Sequence, residues 1–187
     1  MNTALIIIDI QKDYFPNGKF PLSNPETAAN NAQKVLEYFR TKHSENIFHI
    51  QHIAPDESFG FFAPNTEGTE IHDAVKPKDD EIIINKQLPN GFVNTELQKK
   101  LQEKNIDHVV VVGMMTHMCV DATVRAAADL GYKVTLIEDA CASSDLTYND
   151  HVVSAKDAHY AFVSALNFGY AEVYTADNFI NKNISIT

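Results

Sequence analysis

Three reactive side chains each stand at the end of an apolar segment typical of a β-strand. Asp9 follows a run of isoleucines, Lys86 lies just beyond a second isoleucine run, and Cys119 comes a short turn after a run of valines. Parallel strands end at one edge of a sheet, where open α/β folds build their sites. An acid, an amine and a thiol gathered there would be equipped for nucleophilic attack on a carbonyl carbon. The sequence therefore predicts an enzyme.

Cys119 is the predicted nucleophile. Thr116 can cap a helix, which would place Cys119 in the first helical turn. Backbone N–H groups and the positive helix end favour a thiolate there, and the same N–H groups could bind an oxyanion. The alternative is a small buried apolar residue at a strand–helix junction. Cys141 follows two acidic residues in a predicted loop and is interpreted as structural.

Asp9 and Lys86 are more informative together than apart. Alone, Asp9 would be interpreted as a loop cap or a salt-bridge partner, because an unpaired buried charge is costly. Lys86 alone would be a strand-end lysine that reaches solvent. Opposite charges that arrive beside a thiol can satisfy one another and activate it.

Several polar and aromatic residues near the predicted strand ends are candidates for substrate binding. The aromatic members favour a small and partly apolar acyl group. Residues 55–80 have no clear periodicity, which is typical of a functional segment inside a compact domain. The candidates are Gln11, Phe15, His52, Phe61, Gln87, Thr116 and His117.

Eight histidines raise the question of a metal centre. His49 and His52 are separated by an odd spacing on a predicted strand, so they should point to opposite faces. The Cys/His spacing of zinc sites is absent. We therefore expect neither a catalytic metal nor a cofactor.

The elements that must position these residues alternate between strand and helix, and hairpin signals are absent. This pattern predicts a single domain over residues 1–187, an α/β three-layer sandwich around a mostly parallel six-stranded sheet. The predicted strands are 4–10, 46–53, 81–86, 108–112, 133–138 and 171–175. The predicted helices are 25–42, 95–104, 119–130 and one within 149–168.

Composition limits the partners. The formal net charge is −10, which argues against nucleic acid or an anionic membrane as a partner. No apolar run approaches the roughly 18 residues of a membrane span, and the first residues lack the basic start of a secretion signal. We expect a cytoplasmic protein with free thiols.

The chain resembles the isochorismatase-like hydrolases, also called the cysteine hydrolase superfamily, over nearly its full length. The resemblance rests on Asp9, Gln11, Asp13, Tyr14 and Phe15, on Lys86, on residues 113–120, on Thr123, Arg125, Ala126, Gly131 and Tyr132, and on residues 138–143.

This resemblance implies a Rossmann-like sheet of order 3-2-1-4-5-6 and a triad of Asp9, Lys86 and Cys119. It also implies a cis peptide at Met114–Met115, with the Met115 and Cys119 N–H groups forming an oxyanion hole. Family members are often dimers or larger homo-oligomers that act on small molecules.

Within the family, Cys119 favours hydrolysis of a C–N bond, amide or ureido, because members that cleave isochorismate lack this cysteine. The Asp-x-His metal pair of nicotinamidases is replaced here by residues 51–54, Gln-His-Ile-Ala. The resemblance is therefore to metal-free amidohydrolases. A metal-assisted nicotinamidase-like amidase, a redox-active thiol protein using Cys119, and a catalytically silent oligomeric binding protein remain as alternatives.

Overall fold

The computed structural model describes residues 1–182, in which strands and helices alternate for most of the chain. The strands are β1 (Thr3–Ile8), β2 (Ile47–His52), β3 (Ile82–Lys86), β4 (His108–Met114), β5 (Lys133–Ala142), β6 (Leu146–Tyr148), β7 (His151–Val153) and β8 (Glu172–Tyr174). The helices are α1 (Pro25–Lys42), α2 (Leu97–Glu103), α3 (Asp121–Asp129), α4 (Ala155–Gly169) and α5 (Ala176–Asn181). No helix among these residues combines the length and apolar character of a membrane span.

Six strands form one sheet in the order β3-β2-β1-β4-β5-β8, and every neighbouring pair is parallel. Because β8 is the sixth strand expected from the sequence, the predicted order 3-2-1-4-5-6 is confirmed. β1 is buried along its whole length, as a central strand covered on both faces should be.

Helices cover both faces of the sheet. Leu5 and Ile7 of β1 join a core cluster with α1 and α5, whereas Ile6 and Ile8 join a second cluster with α2, α3 and α4. This alternation is the two-residue period of a strand. The predicted three-layer α/β arrangement is therefore confirmed.

The sequence prediction missed a hairpin. β6 and β7 pair antiparallel outside the main sheet across a two-residue turn, where Asn149 has a φ of 52°. Asparagine tolerates this left-handed conformation, which such turns require. The helix predicted within 149–168 consequently begins only at Ala155, with the Ser154 side chain accepting from the Asp157 N–H.

The ends of two other strands also differ from prediction. β1 ends at Ile8 and not at Ile10, because Asp9 turns the chain with a φ of 49°. β5 continues to Ala142, so that Cys141, expected in a loop, lies buried in a strand. Its Sγ lies 3.4 Å from the Ile137 carbonyl oxygen. Cys141 is thus a packed residue, consistent with the structural interpretation.

Candidate active site

Close approach of β1 and β4 positions the acid. Gly113 has a φ of 140°, and a Cβ on it would lie 2.2 Å from the Ile8 carbonyl oxygen. Only glycine fits this position, because any side chain would collide with the neighbouring strand. Asp9 follows Ile8 directly in a left-handed conformation that aspartate tolerates better than most residues, and it is completely buried.

The nucleophile lies in one π-helical turn, Thr116–Val120, that leads into α3. The Val120 N–H donates to the Met115 carbonyl oxygen five residues back, at 3.2 Å. Single π turns within α-helices are frequent at functional sites. The Met114–Met115 peptide is cis, at the bond named in the sequence analysis. The predicted helix of 119–130 therefore begins as a π turn.

The predicted capping role of Thr116 is wrong. Met115 is the N-cap of this turn, and Thr116 is its first helical residue. Thr116 Oγ1 donates to the Ala142 carbonyl oxygen at 3.1 Å and lies 2.9 Å from His159 Nδ1. The neighbouring His117 Nδ1 lies 2.6 Å from Ser143 Oγ. β5 and α4 therefore hold the nucleophile turn through hydrogen bonds to its first two residues.

Lys86 brings the reactive groups together from the end of β3. Its Nζ lies 2.7 Å from Asp9 Oδ2, 3.0 Å from His52 Nδ1 and 3.3 Å from Cys119 Sγ. The ammonium therefore hydrogen-bonds His52 and Cys119 and forms an ion pair with Asp9. The acid, the amine and the thiol that the sequence singled out are therefore neighbours in a buried cluster.

Burial dominates the protonation of this cluster. It raises the pKa of Asp9, an effect that the Lys86 charge opposes. It also raises the pKa of the Cys119 thiol, assisted by the Asp9 charge. Burial lowers the pKa of Lys86, but the neighbouring Asp9 and Cys119 outweigh it and raise that pKa. The sequence-based expectation of a ready thiolate at the helix end is thus reversed, and the thiol needs a base.

Gln11 anchors the end of β2. Its Nε2 donates to the carbonyl oxygens of His52 and Thr69, each at 2.8 Å, and its Oε1 accepts from the His52 N–H at 2.8 Å. The Gln11 amide therefore fixes His52 and the following segment through the backbone.

The two predicted aromatic pocket residues lie in different surroundings. Phe61 packs against Phe59 and Phe62, and these two rings lie 5.8 Å and 5.7 Å from the His52 ring. Phe15 stacks on the His72 ring at 3.7 Å. Of the two, Phe61 belongs to the aromatic group next to His52.

Gln87 and His117 are the remaining predicted binding residues, each close in sequence to a cluster residue. Gln87 is exposed and lines a cavity of about 610 Å³ that also reaches Lys86. His117 is half-buried against Ser143. The sequence analysis gave no role to His159 or to Ser143 as partners of this turn, since neither position has a motif that predicts these contacts.

Metal-ligand chemistry can be tested on the same residues. One oxygen of Asp9, one ring nitrogen of His52 and Cys119 Sγ all lie within 4.8 Å of one another. The Lys86 ammonium, however, contacts all three residues. The positive charge that a metal ion would bring to this set is therefore already supplied by a lysine.

A buried acid, amine and thiol at the carboxyl edge of an α/β sheet are groups that covalent attack on a carbonyl carbon would use. Residues 3–173 match the Isochorismatase domain, and the chain belongs to this family. It is 52% identical over 180 residues to the isochorismatase family protein YddQ of Bacillus subtilis, covering 96% of this chain and 99% of that protein. A solved structure from Oleispira antarctica, provisionally assigned as an isochorismatase hydrolase, aligns with a TM-score of 0.92 and 42% identity over 96% of each chain.

Two more distant relatives have named activities. The streptothricin hydrolase of Streptomyces noursei is 30% identical over 143 residues, 76% of this chain and 50% of that protein. The ureidoacrylate amidohydrolase RutB of Acinetobacter baylyi is 27% identical over 171 residues, 74% of this chain and 70% of that protein. The chain is thus an isochorismatase-family hydrolase whose relatives include amidohydrolases.

Proposed function

We propose that this protein is a cysteine-dependent hydrolase that cleaves the C–N bond of a small amide or ureido compound through a thioester acyl-enzyme. The observation that supports this best is the position of Lys86 Nζ, which lies 2.7 Å from Asp9 Oδ2 and 3.3 Å from Cys119 Sγ. A thiol with a raised pKa needs an adjacent base, and Asp9 has a raised pKa suited to accept a proton.

In the first half-reaction, Asp9 accepts the Cys119 Sγ proton and the sulfur attacks the substrate carbonyl carbon. The backbone N–H groups of Met115 and Cys119 would stabilise the negative oxygen of the tetrahedral intermediate. When the C–N bond breaks, protonated Asp9 donates its proton to the leaving nitrogen. The products are a free amine or ammonia and an acylated Cys119, which is a thioester from an amide and a thiocarbamate from a ureido compound.

In the second half-reaction, Asp9 accepts a proton from water, and the resulting hydroxide attacks the thioester carbon. Breakage of the C–S bond releases the acid, or a carbamate from a ureido compound. Cys119 then recovers the proton from Asp9. Lys86 stays charged throughout and compensates whichever of Asp9 and Cys119 is anionic.

The substrate class is proposed on two grounds. The relatives named above include a hydrolase of streptothricin and an amidohydrolase of ureidoacrylate. The candidate lining residues combine aromatic and polar groups, which suits a small and partly apolar acyl group. We assign substrate contact to Phe15, Phe61, Gln87 and His117. Thr116 is fully buried and already bonded to Ala142 and His159, so we assign it to positioning the nucleophile turn.

We further propose that the protein forms a homo-oligomer. We also propose that it has no nucleic-acid partner, because its net charge of −10 would repel nucleic acid. The β6–β7 hairpin exposes Tyr148, Val152 and Val153. Sedimentation of the wild type against Val152→Lys tests this surface. A smaller species for the variant supports it, and an unchanged species argues against this hairpin as the interface.

Ammonia release from a panel of small amides and ureido compounds, nicotinamide included, tests the proposed reaction. Cys119→Ala should abolish release, whereas Cys141→Ala, a buried cysteine outside the cluster, should retain it. Release from Cys119→Ala would refute the mechanism. Chelator-sensitive release from nicotinamide alone would favour the metal-assisted alternative. Failure of the wild type on every compound, with reversible oxidation of Cys119, would favour the redox-thiol alternative.

A further inference from the structure

His52 has one ring nitrogen with no known role. The side chain is buried at the end of β2, with an exposed fraction of 5%. Its Nε2 is fully buried and has no hydrogen-bond partner within residues 1–182. A buried N–H or nitrogen lone pair without a partner costs free energy, so such groups are rare and call for a ligand or a function.

The other ring nitrogen fixes which form of the imidazole is present. His52 Nδ1 lies 3.0 Å from Lys86 Nζ, and an ammonium can only donate. Nδ1 must therefore accept, so that a neutral ring carries its proton on Nε2. Burial and the Lys86 charge lower the pKa of His52 to about 4, which keeps the ring neutral near pH 7.

The ring is held rigidly next to the reacting atoms. Gln11 bonds both the N–H and the carbonyl oxygen of His52 at 2.8 Å, and Lys86 holds Nδ1. A ring nitrogen lies within 4.8 Å of both Asp9 and Cys119 Sγ. The imidazole is therefore a direct neighbour of the thiol that a substrate must reach.

We propose that the His52 Nε2–H is a substrate subsite that binds a carbonyl or carboxylate oxygen outside the scissile group. This inference rests on the proposed hydrolytic function and specifies its substrates. A neutral, pre-oriented donor favours compounds with such an oxygen over apolar analogues. Lys86 is already engaged with groups of the protein, because its ammonium contacts Asp9, His52 and Cys119.

Two variants of His52 distinguish the role of Nδ1 from that of Nε2. His52→Asn keeps a polar atom near Nδ1 for Lys86 but loses the Nε2 donor, whereas His52→Gln can place an amide N–H near Nε2. N-carbamoyl-β-alanine carries a carboxylate, and n-propylurea is its apolar analogue. We expect His52→Asn to raise KM for the carboxylate compound about 10- to 100-fold, the loss expected for a hydrogen bond to a charged group, with a smaller change in kcat.

The same variant should leave KM for n-propylurea nearly unchanged, and His52→Gln should lie closer to the wild type for both. Equal KM changes for the two compounds, or a His52→Gln protein as impaired as His52→Asn, would overturn the subsite. Thermal unfolding of each variant establishes that it is folded.

A second measurement does not depend on turnover, so that failure of the proposed reaction can be distinguished. The ¹⁵N NMR spectrum of histidine-labelled Cys119→Ala protein at pH 7 should show His52 protonated on Nε2 and bare on Nδ1. The same protein with His52→Asn assigns the signal. N-carbamoyl-β-alanine should shift the Nε2 resonance and n-propylurea should not. A proton on Nδ1, an imidazolium, or no shift with the carboxylate compound would refute the inference.

Discussion

The strand pair β2–β3 contributes to two buried charge clusters that behave in opposite ways. At one cluster, His49 of β2 and Glu81 just before β3 meet Arg40 of α1. Glu81 accepts from Arg40 Nε at 2.6 Å, from His49 Nε2 at 2.8 Å, and from Arg40 Nη2 and the Lys78 N–H at 3.0 Å each.

At the other cluster, His52 and Lys86 from the ends of the same strands meet Asp9 and Cys119. Asp9 Oδ2 forms an ion pair with Lys86 Nζ at 2.7 Å, but neither carboxylate oxygen has a hydrogen-bond partner among residues 1–182. Both carboxylates have side chains at most 1% exposed. The difference is the number of donors around each carboxylate.

Donor number decides what a buried carboxylate can do. Burial alone would raise the pKa of Glu81, but the bonds from His49, Arg40 and Lys78 lower it to about 2. Burial of Asp9 is not compensated in this way, and its pKa is raised. Glu81 is thus a fixed anion that stabilises the fold, whereas Asp9 can exchange a proton, which is what a catalytic base requires.

Removing the Asp9 carboxylate should have the largest effect on activity. Asp9→Asn keeps the shape of the side chain but cannot accept the Cys119 proton, and we expect kcat to fall about 10³-fold, within the usual range for a general base. The melting temperature should also fall, because the buried Lys86 loses its anionic partner, so kcat is measured well below that temperature. Steady-state kinetics and thermal unfolding measure the two quantities; full activity in the variant would contradict the proton-transfer role.

Lys86→Met should have the next largest effect. The change keeps an unbranched side chain and removes the charge that lowers the pKa of both Asp9 and Cys119. Loss of one electrostatic stabiliser typically costs about 10²-fold in kcat. The acidic limb of the pH–rate profile should move to higher pH as the pKa of Asp9 rises further. An unmoved limb would argue against electrostatic coupling between Lys86 and Asp9.

Glu81→Gln should have the opposite effect, a loss of folding stability with little loss of activity. It removes the anion that pairs with the buried His49 and the half-buried Arg40, whose remaining anionic partner is the exposed Glu37. Breaking a buried pair typically costs about 3 kcal/mol of unfolding free energy. Urea denaturation measures this loss. The folded variant should retain kcat near the wild-type value, because Glu81 contacts none of the reacting groups. A variant with intact stability and lost activity would refute the division between the two clusters.

The sequence predicted those features of the fold and site that depend on local residue pattern. Apolar runs located the six sheet strands, and the reactive residues at or shortly after the ends of three runs were Asp9, Lys86 and Cys119. It was uninformative where distant segments meet. The bonds from His159 and Ser143 to the nucleophile turn depend on packing of α4 and β5, and the raised pKa of Cys119 depends on burial that no local motif encodes.

The two clusters should also differ in how acid affects folding, the smallest of the expected effects near neutral pH. The pKa of Glu81 is about 2 in the folded state, below its usual value of 4.5. Its contribution to stability is therefore fully present above pH 4.5 and is lost as the pH falls toward 2. The stability difference between wild type and Glu81→Gln should narrow over this range.

For Asp9 the sign is opposite. Because its pKa is raised in the folded state, ionisation of Asp9 costs folding stability as the pH rises. Asp9→Asn has no such ionisation and should therefore gain stability relative to the wild type with increasing pH. Urea unfolding of both variants at a series of pH values checks the two slopes, and parallel slopes would remove the electrostatic basis of the comparison.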